Sequence, residues 1–397
     1  MRIPSPIHDI ERRLVARATA SDESEEIFTE FCEALSAVGL PLWRASLSVP
    51  TIDPLFRGVS LAWRCGEGLS LSSTAHGPEG EDVFARSPIA WLHASEQTHA
   101  RWRLDGDAYP NLPLLAELRA AGATDYLLHL TGFAPGTALS GVGISFATDR
   151  AEGFSEAEAA VLAALVPSLA LVTAKLALSH TLREVVGTYL GTRTAERVLS
   201  GEMRRGQGAM VPAAILLTDL RGFTALADRH APPHVVSWLD EHFDALGEPV
   251  TRHGGEVLKF LGDGFLAIFP VSDPEAPSCP ACAGAFRAAR EALARNGALN
   301  LARARTGLPE LKADIVLHYG PVVYGNVGTD RRLDFTIIGS AVNEASRIEQ
   351  LCAELDQPLL LSDAFAARCR EGLRALGSFT FRGIERPHRV WAPSDPL

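Results

Sequence analysis

Apolar residues recur at helical spacing through residues 8–38 (Ile10, Leu14, Ile27, Phe31, Leu35), and Gly39 closes that stretch. Four segments with the composition of strands follow: LWRASLSV (42–49), VSLAWRC (59–65), YLLHLTGF (126–133) and SGVGISFATD (140–149). Short helices, SPIAWLHAS and NLPLLAELRAAG, fall between the second and the third, and GFSEAEAAVLAALV opens another after the fourth. This order predicts an α+β unit of about 175 residues. The pattern then stays helical to about residue 200, and a long helix with apolar spacing is expected to pair with its own copy in a parallel dimer. The longest apolar run, AAVLAALVPSLALVTA (159–174), is interrupted by Pro167 and falls short of the roughly 20 residues that a bilayer demands, so it reads as a buried helix and no membrane span is expected. SGEMRRGQGAMVP (200–212), rich in glycine and polar residues, reads as a linker.

The pattern beyond the linker carries chemistry. Ala213–Thr218 reads as a short buried strand with Asp219 at its end; Gly222 breaks the chain and FTALADRH begins a helix. Free backbone N–H groups at a helix start can hold phosphate oxygens while an acid holds the neutralising cation, although the same aspartate could equally cap the helix. GEVLKFLGDGFLAIF reads as strand, tight turn and strand, with Asp263 at the tip and Lys259 inside the first apolar run. A plain turn aspartate is the alternative for Asp263. If the tip lies beside the end of the Asp219 strand, two carboxylates converge, and a divalent cation between them relieves their repulsion. DFTIIGSAVNEASRIE gives a short strand, a turn at Gly339 and a helix carrying Asn343 and Arg347 four apart on one face. Each has an ordinary use, as a cap or a surface ion pair. Together they form a hydrogen-bond donor and a fixed positive charge, which suits a pentavalent phosphorus transition state.

Composition narrows the field. At 397 residues, 47% hydrophobic and 21% charged, the chain folds and holds two or three domains. A net charge of −11 argues against a general nucleic-acid binder, so an anionic substrate needs local help such as a metal ion. MRIPSPIHDIERRL has charges where a signal peptide needs an apolar core, and six scattered cysteines fit reduced thiols; a cytoplasmic location is expected. Cys279 and Cys282 form a CxxC with no second pair, and a helix N-terminus accounts for them. Trp43, Trp63, Trp91 and Trp102 are read as core, and His93, His99 and His129 have no metal-like spacing.

TDLRGFT, LKFLGDG, HYGPVVYGNVG, DFTIIGSAVNEASR and FRGIERPHRVW occur in this order over residues 213–391, and the set resembles the catalytic domain of class III nucleotide cyclases. EVVGTYLGTRTAERVLSG is similar to the helical transducer that leads into such domains, and the first α+β unit looks like a GAF-type sensor. The resemblance implies a GAF-like domain over 1–178, a helical transducer and linker over 179–207, and a cyclase domain with a ferredoxin-like βαββαβ core over 208–397. It implies two Mg²⁺ or Mn²⁺ ions on Asp219, Asp263 and the Leu220 carbonyl, and a triphosphate cradle at Gly222, Phe223 and Thr224. Lys259 and Thr336 match the adenine-reading pair, Asn343 and Arg347 the ribose-positioning and transition-state residues. The implied reaction is ATP to 3′,5′-cyclic AMP and diphosphate at two sites across a homodimer interface, under an effector the sequence does not name. Two positions depart from the pattern. Asp314 stands where family members often have a phosphate-contacting arginine, with Lys312 as a possible substitute, and Arg382 aligns loosely with a basic position near the triphosphate. A guanylate cyclase is disfavoured by Lys259, and a catalytically silent nucleotide-binding regulator by the complete set of six matching residues.

Overall fold

The computed structural model describes residues 5–53, 56–106, 110–134, 136, 139–202, 208–274, 279–329, 332–369, 371–381 and 387–395. The chain divides into two compact units, 1–185 and 186–397.

In the first unit the helical run forms two helices, α1 (Ser5–Ala20) and α2 (Ser24–Ala37), interrupted where the Ser21 hydroxyl accepts the Glu23 N–H. A six-stranded antiparallel sheet follows in the order β3-β2-β1-β6-β5-β4. Its strands are β1 (Arg44–Pro50), β2 (Phe56–Arg64), β3 (Gly68–Ala75), β4 (His99–Arg103), β5 (Asp125–Gly132) and β6 (Gly141–Thr148). Helices α3 (Pro78–Ala85), α4 (Pro88–Ala94) and α5 (Pro113–Ala120) intervene, and α6 (Glu156–Leu190) closes the series. The two strands that the hydrophobic pattern misses, β3 and β4, are the sheet edges: β3 is exposed on both faces and β4 has five residues. One face of the sheet packs Leu47, Ile144 and Phe146 against α1, α2 and α6; the other packs Tyr126 and Leu128 against Leu92, Leu115 and Leu118. Trp63 and Trp102 are buried in these cores, as expected. A cavity of about 280 Å³ opens between β1, β2, α2 and α6, floored by Leu47, Leu61, Phe28, Leu169 and Leu176.

The apolar run at 159–174 lies within α6, which continues through Pro167. Its inner stripe (Leu162, Leu165, Leu169) is buried, while Leu171, Leu178 and Leu182 stay exposed at spacings of seven and four. By length and composition α6 is long and apolar enough to cross a membrane, and half of its most apolar window is buried by the protein itself.

The second unit opens with α7 (Thr192–Leu199) and β7 (Gly208–Leu220), then α8 (Phe223–Arg229), α9 (Pro232–Arg252), the hairpin β8 (Glu256–Leu261) and β9 (Gly264–Pro270), and α10 (Pro280–Arg305). It continues with β10 (Ala313–Gly328), β11 (Leu333–Ile338), α11 (Ser340–Glu354), β12 (Leu359–Ser362), α12 (Asp363–Ala366), β13 (Leu373–Phe379) and β14 (His388–Pro393). The sheet order is β13-β14-β12-β10-β7-β9-β8, with β11 paired to β10. Its core, β7-α9-β8-β9-α10-β10, is a βαββαβ unit with strands in the order β10-β7-β9-β8. Helices α9 and α10 cover one face and α11 the other. Part of the expected linker is strand: β7 begins at Gly208 and pairs with β10 from Gly208–Gly325 to Leu220–Ala313. Its partner lies about a hundred positions away, so nothing local announces it. The CPAC motif starts α10, with Pro280 in the first turn and the Cys279 sulfur accepting the Cys282 N–H at 3.2 Å.

Candidate active site

Asp219 is the penultimate residue of β7, and Asp263 is the tip of the β8–β9 hairpin. The two are brought together by glycine. A Cβ on Gly264 would lie 1.9 Å from the Thr218 carbonyl oxygen and 3.1 Å from the Asp219 Cα, so the hairpin backbone rests directly on the end of β7. Thr218 fixes this contact by accepting the Phe265 N–H at 3.0 Å. Gly262 has a left-handed φ of +74° and Asp263 does not, the pattern of a type II′ turn with glycine first.

The crowding appears in the acidities. Burial, then Asp263, then Asp314 push the Asp219 carboxyl up to about 6, and burial raises Asp263 as well. A further acid joins them. Glu349 on α11 is pushed up to about 7 by burial and by Asp219, Asp314 and Asp263. It was missed in the sequence, where its signal is a charge beside the apolar stripe Ala345, Ile348 and Cys352 of that helix. Asp314 sits directly opposite Asp219 in the ladder. It is buried and held by a two-pronged ion pair with Arg221 (2.9 and 2.6 Å), which also reaches Asp356 at 2.9 Å. The positive charge absent from position 314 therefore stands two residues beyond Asp219. Lys312, the expected substitute, is exposed and pairs with Glu310 at 3.5 Å.

Lys259 escapes the core through a register shift between Val257 and Lys259, a bulge at Leu258. Val257 faces Ala267 on the α9/α10 side, whereas Lys259 faces Leu266 on the α11 side, together with Glu256 and Leu258. From there its ammonium reaches Asp334 of β11 at 3.9 Å. Thr336, two residues along the same strand face, is 5% exposed, and its buried hydroxyl has no partner among the described residues. Asn343 is exposed on α11 with Arg347 one turn later. At 3.6 residues per turn, Arg347 points about 160° and Asn343 about 120° away from Glu349, the residue that faces Asp219 and Asp263. The same helix thus turns its acid toward its own aspartates and its asparagine and arginine elsewhere.

Gly222 is exposed with a φ of +78°, and Phe223 starts α8 with no side-chain cap, so the backbone at Gly222, Phe223 and Thr224 is open to a ligand. Leu220 ends β7 beside Asp219. Arg382 lies outside the described residues. The donors suit a hard divalent cation: two carboxylates held close at a cost that a cation removes, with the Leu220 carbonyl next along the chain from one of them. Among the described residues no three His, Cys, Asp or Glu side chains form a ready cage.

The family model of the adenylate and guanylate cyclase catalytic domain matches residues 208–358. Adenylate cyclase 1 of Rhizobium meliloti is 35% identical over 175 residues, 42% of this chain and 25% of that protein. Adenylate cyclase of Anabaena cylindrica is 31% identical over 177 residues, 44% of this chain and 34% of that protein. The chain thus spans between a quarter and a third of the length of these two relatives. Among solved structures, the adenylyl cyclase CyaB from P. aeruginosa aligns with 48% of this chain and 97% of its own, at 22% identity and a TM-score of 0.43. Residues 208–358 are a class III adenylate/guanylate cyclase catalytic domain.

Proposed function

We propose that this chain is an adenylate cyclase, converting ATP to 3′,5′-cyclic AMP and diphosphate at sites built between two copies. The observation that carries the reading is the apposition of Asp219 and Asp263 forced by Gly264. Asp219, Asp263 and the Leu220 carbonyl would hold two Mg²⁺ or Mn²⁺ ions, whose chemistry is to activate the ribose 3′-hydroxyl and neutralise the triphosphate. The backbone from Gly222 to Thr224 receives the phosphates at the start of α8. Lys259 donates to N1 of adenine, and the Thr336 hydroxyl, which has no partner among the described residues, accepts from the 6-amino group. Guanine would set its N1–H against the lysine, donor against donor. Asn343 orients the ribose and Arg347 offsets charge developing at the α-phosphate. The 3′-oxygen bonds to the α-phosphorus, the bond to the bridging oxygen breaks, diphosphate leaves with the electron pair, and the hydroxyl proton passes to water.

The direction of Asn343 and Arg347 along α11, away from Glu349 and the aspartates of their own chain, supports a homodimer in which their target is the aspartate pair of a second copy. The exposed stripe Leu171, Leu178 and Leu182 on α6 supports the same assembly. We read residues 1–178 as a GAF-like regulatory domain, with the 280 Å³ cavity as the candidate seat of a small-molecule effector. The reaction is assigned to the cytoplasm, in keeping with six unpaired cysteines, five of them buried.

The test is cyclic nucleotide formation by the full chain with ATP or GTP, in Mg²⁺ and in Mn²⁺, beside Asp219→Ala. Cyclic AMP from ATP, lost in the variant, is expected. Product from GTP alone would overturn the base assignment; no product from either nucleotide would overturn the enzyme reading.

A further inference from the structure

Helix α7, which precedes the catalytic sheet, is fastened to it by a buried acid. Glu256, the first residue of β8, is 7% exposed, and its carboxylate accepts the backbone N–H groups of Arg193 (3.0 Å) and Thr194 (3.2 Å) at the start of α7. The Tyr324 hydroxyl of β10 donates to the same carboxylate at 3.5 Å and lies 2.7 Å from the Thr194 hydroxyl. Gly191 makes room for it: a Cβ there would stand 2.6 Å from a Glu256 carboxylate oxygen. One turn along, the Arg197 guanidinium lies over the rings of Tyr324 and Phe335, 5.1 and 5.2 Å from their centroids, and those rings meet edge to face at 4.7 Å. Asn326 ties β10 to the segment after α7 by donating to the Glu202 carbonyl at 2.7 Å. One two-turn helix thus grips β8, β10 and β11 at once.

A buried carboxylate is costly, and removing its partners leaves it more so, which makes such groups better at fixing an arrangement than at adding stability. What is fixed here is the relation between two strands. Glu256 is three residues before Lys259, and Phe335 is the residue before Thr336. We propose that Glu256, Tyr324 and Arg197 are positioning residues for base recognition: the seat of α7 sets the spacing of β8 against β11, and with it the affinity and selectivity for the purine. This rests on the reading of Lys259 and Thr336 as the base contacts. Asp219 and Asp263 are held by a separate contact, Gly264 on Thr218, so movement of α7 is felt first in substrate binding and only afterwards in turnover.

The test uses the full chain with Glu256→Ala, Glu256→Gln and Tyr324→Phe, and Lys259→Ala in parallel. Measured are kcat and KM for ATP and GTP, affinity for a non-cyclisable ATP analogue, Mn²⁺ affinity and melting temperature. For Glu256→Ala, KM for ATP is expected to rise about tenfold and the preference for ATP over GTP to fall by a similar factor, with kcat within about threefold and Mn²⁺ affinity unchanged. Glu256→Gln keeps an oxygen for the two N–H groups and is expected to recover most of the loss. Tyr324→Phe gives a smaller shift in the same direction, and these two decide the matter if Glu256→Ala does not fold. A lowered melting temperature with KM and selectivity intact would overturn the inference, as would equal loss of kcat and Mn²⁺ binding. If Lys259→Ala leaves selectivity untouched, the base reading itself fails and takes the inference with it; if only Lys259→Ala alters selectivity, the inference alone fails.

Discussion

The two glycines around Asp263 serve different needs, and substituting each by alanine separates them. At Gly264 the obstacle is space. The Cβ would stand 1.9 Å from the Thr218 carbonyl oxygen, and real Cβ contacts almost never fall below 3.0 Å, so the hairpin must retreat from β7. The retreat is about 1 Å, and a misplacement of that size costs on the order of 100-fold in rate when it separates groups that act together. Overpacking of this kind costs about 1–3 kcal/mol, and each kcal/mol lowers the melting temperature of a unit this size by about 2–4 °C. At Gly262 a Cβ meets nothing within 4 Å, but the φ of +74° is left-handed. Alanine there costs about 1–2 kcal/mol in backbone strain without moving Asp263 off β7. The expected result is a pair of variants with comparable melting temperatures and unequal turnover: Gly264→Ala about 100-fold down in kcat, Gly262→Ala within a fewfold of the parent. The assay is cyclic AMP formation at saturating ATP and Mn²⁺, with differential scanning fluorimetry on the same samples. A Gly264→Ala protein with parental kcat would refute the apposition of the two aspartates.

Three further outcomes follow from the site. Asp219 has a raised pKa in the folded chain, so its stabilising contribution is complete below the unfolded value near 4 and is lost as pH climbs through about 6. Without added metal, Asp219→Asn should therefore melt higher than the parent at pH 7.5, keep only part of that advantage near pH 5 and lose it below about pH 4, while making no cyclic AMP; melting curves across this range check this. Lys259→Ala should raise KM for ATP by about 10- to 100-fold by leaving adenine N1 without its donor, and steady-state kinetics with ATP and GTP would expose an unchanged preference as a failure. Mixing inactive Asp219→Ala and Arg347→Ala chains should restore about a quarter of parental activity, since half the dimers are mixed and each carries one complete site. No recovery on mixing would place the arginine in the same chain as its aspartates.

The elements that carry the site were legible because each has a local cause. An apolar run ending in Asp219, a Gly-Asp-Gly turn between two apolar strands and an Asn343–Arg347 pair one helical turn apart all declare themselves within a few residues. What escaped depends on partners far along the chain. Strand β7 starts inside a polar, glycine-rich stretch because β10 supplies its hydrogen bonds, and β3 and β4 are edges too exposed or too short to leave a pattern. Glu349 looks like an ordinary surface glutamate until the fold turns it toward Asp219. Asp314 reads as a lost cation, and only the ladder pairing shows Arg221 beside it, two residues past Asp219.

The bulge at Leu258 has a consequence for how this domain can vary. A regular ladder would alternate faces from Val257 onward and send the lysine side chain into the packing between β8 and α9 and α10. Whether position 259 faces β11 is therefore decided by a count of residues as much as by their identity. Deleting Leu258 would leave the lysine opposite Leu266, whereas deleting Phe260 would set it opposite Phe265 and bury the ammonium on the α9/α10 side, and no replacement at 259 could restore what that deletion removes. Length, in this hairpin, is a trait on which selection can act, because one residue lost between the lysine and the turn changes the face of the sheet on which the lysine stands.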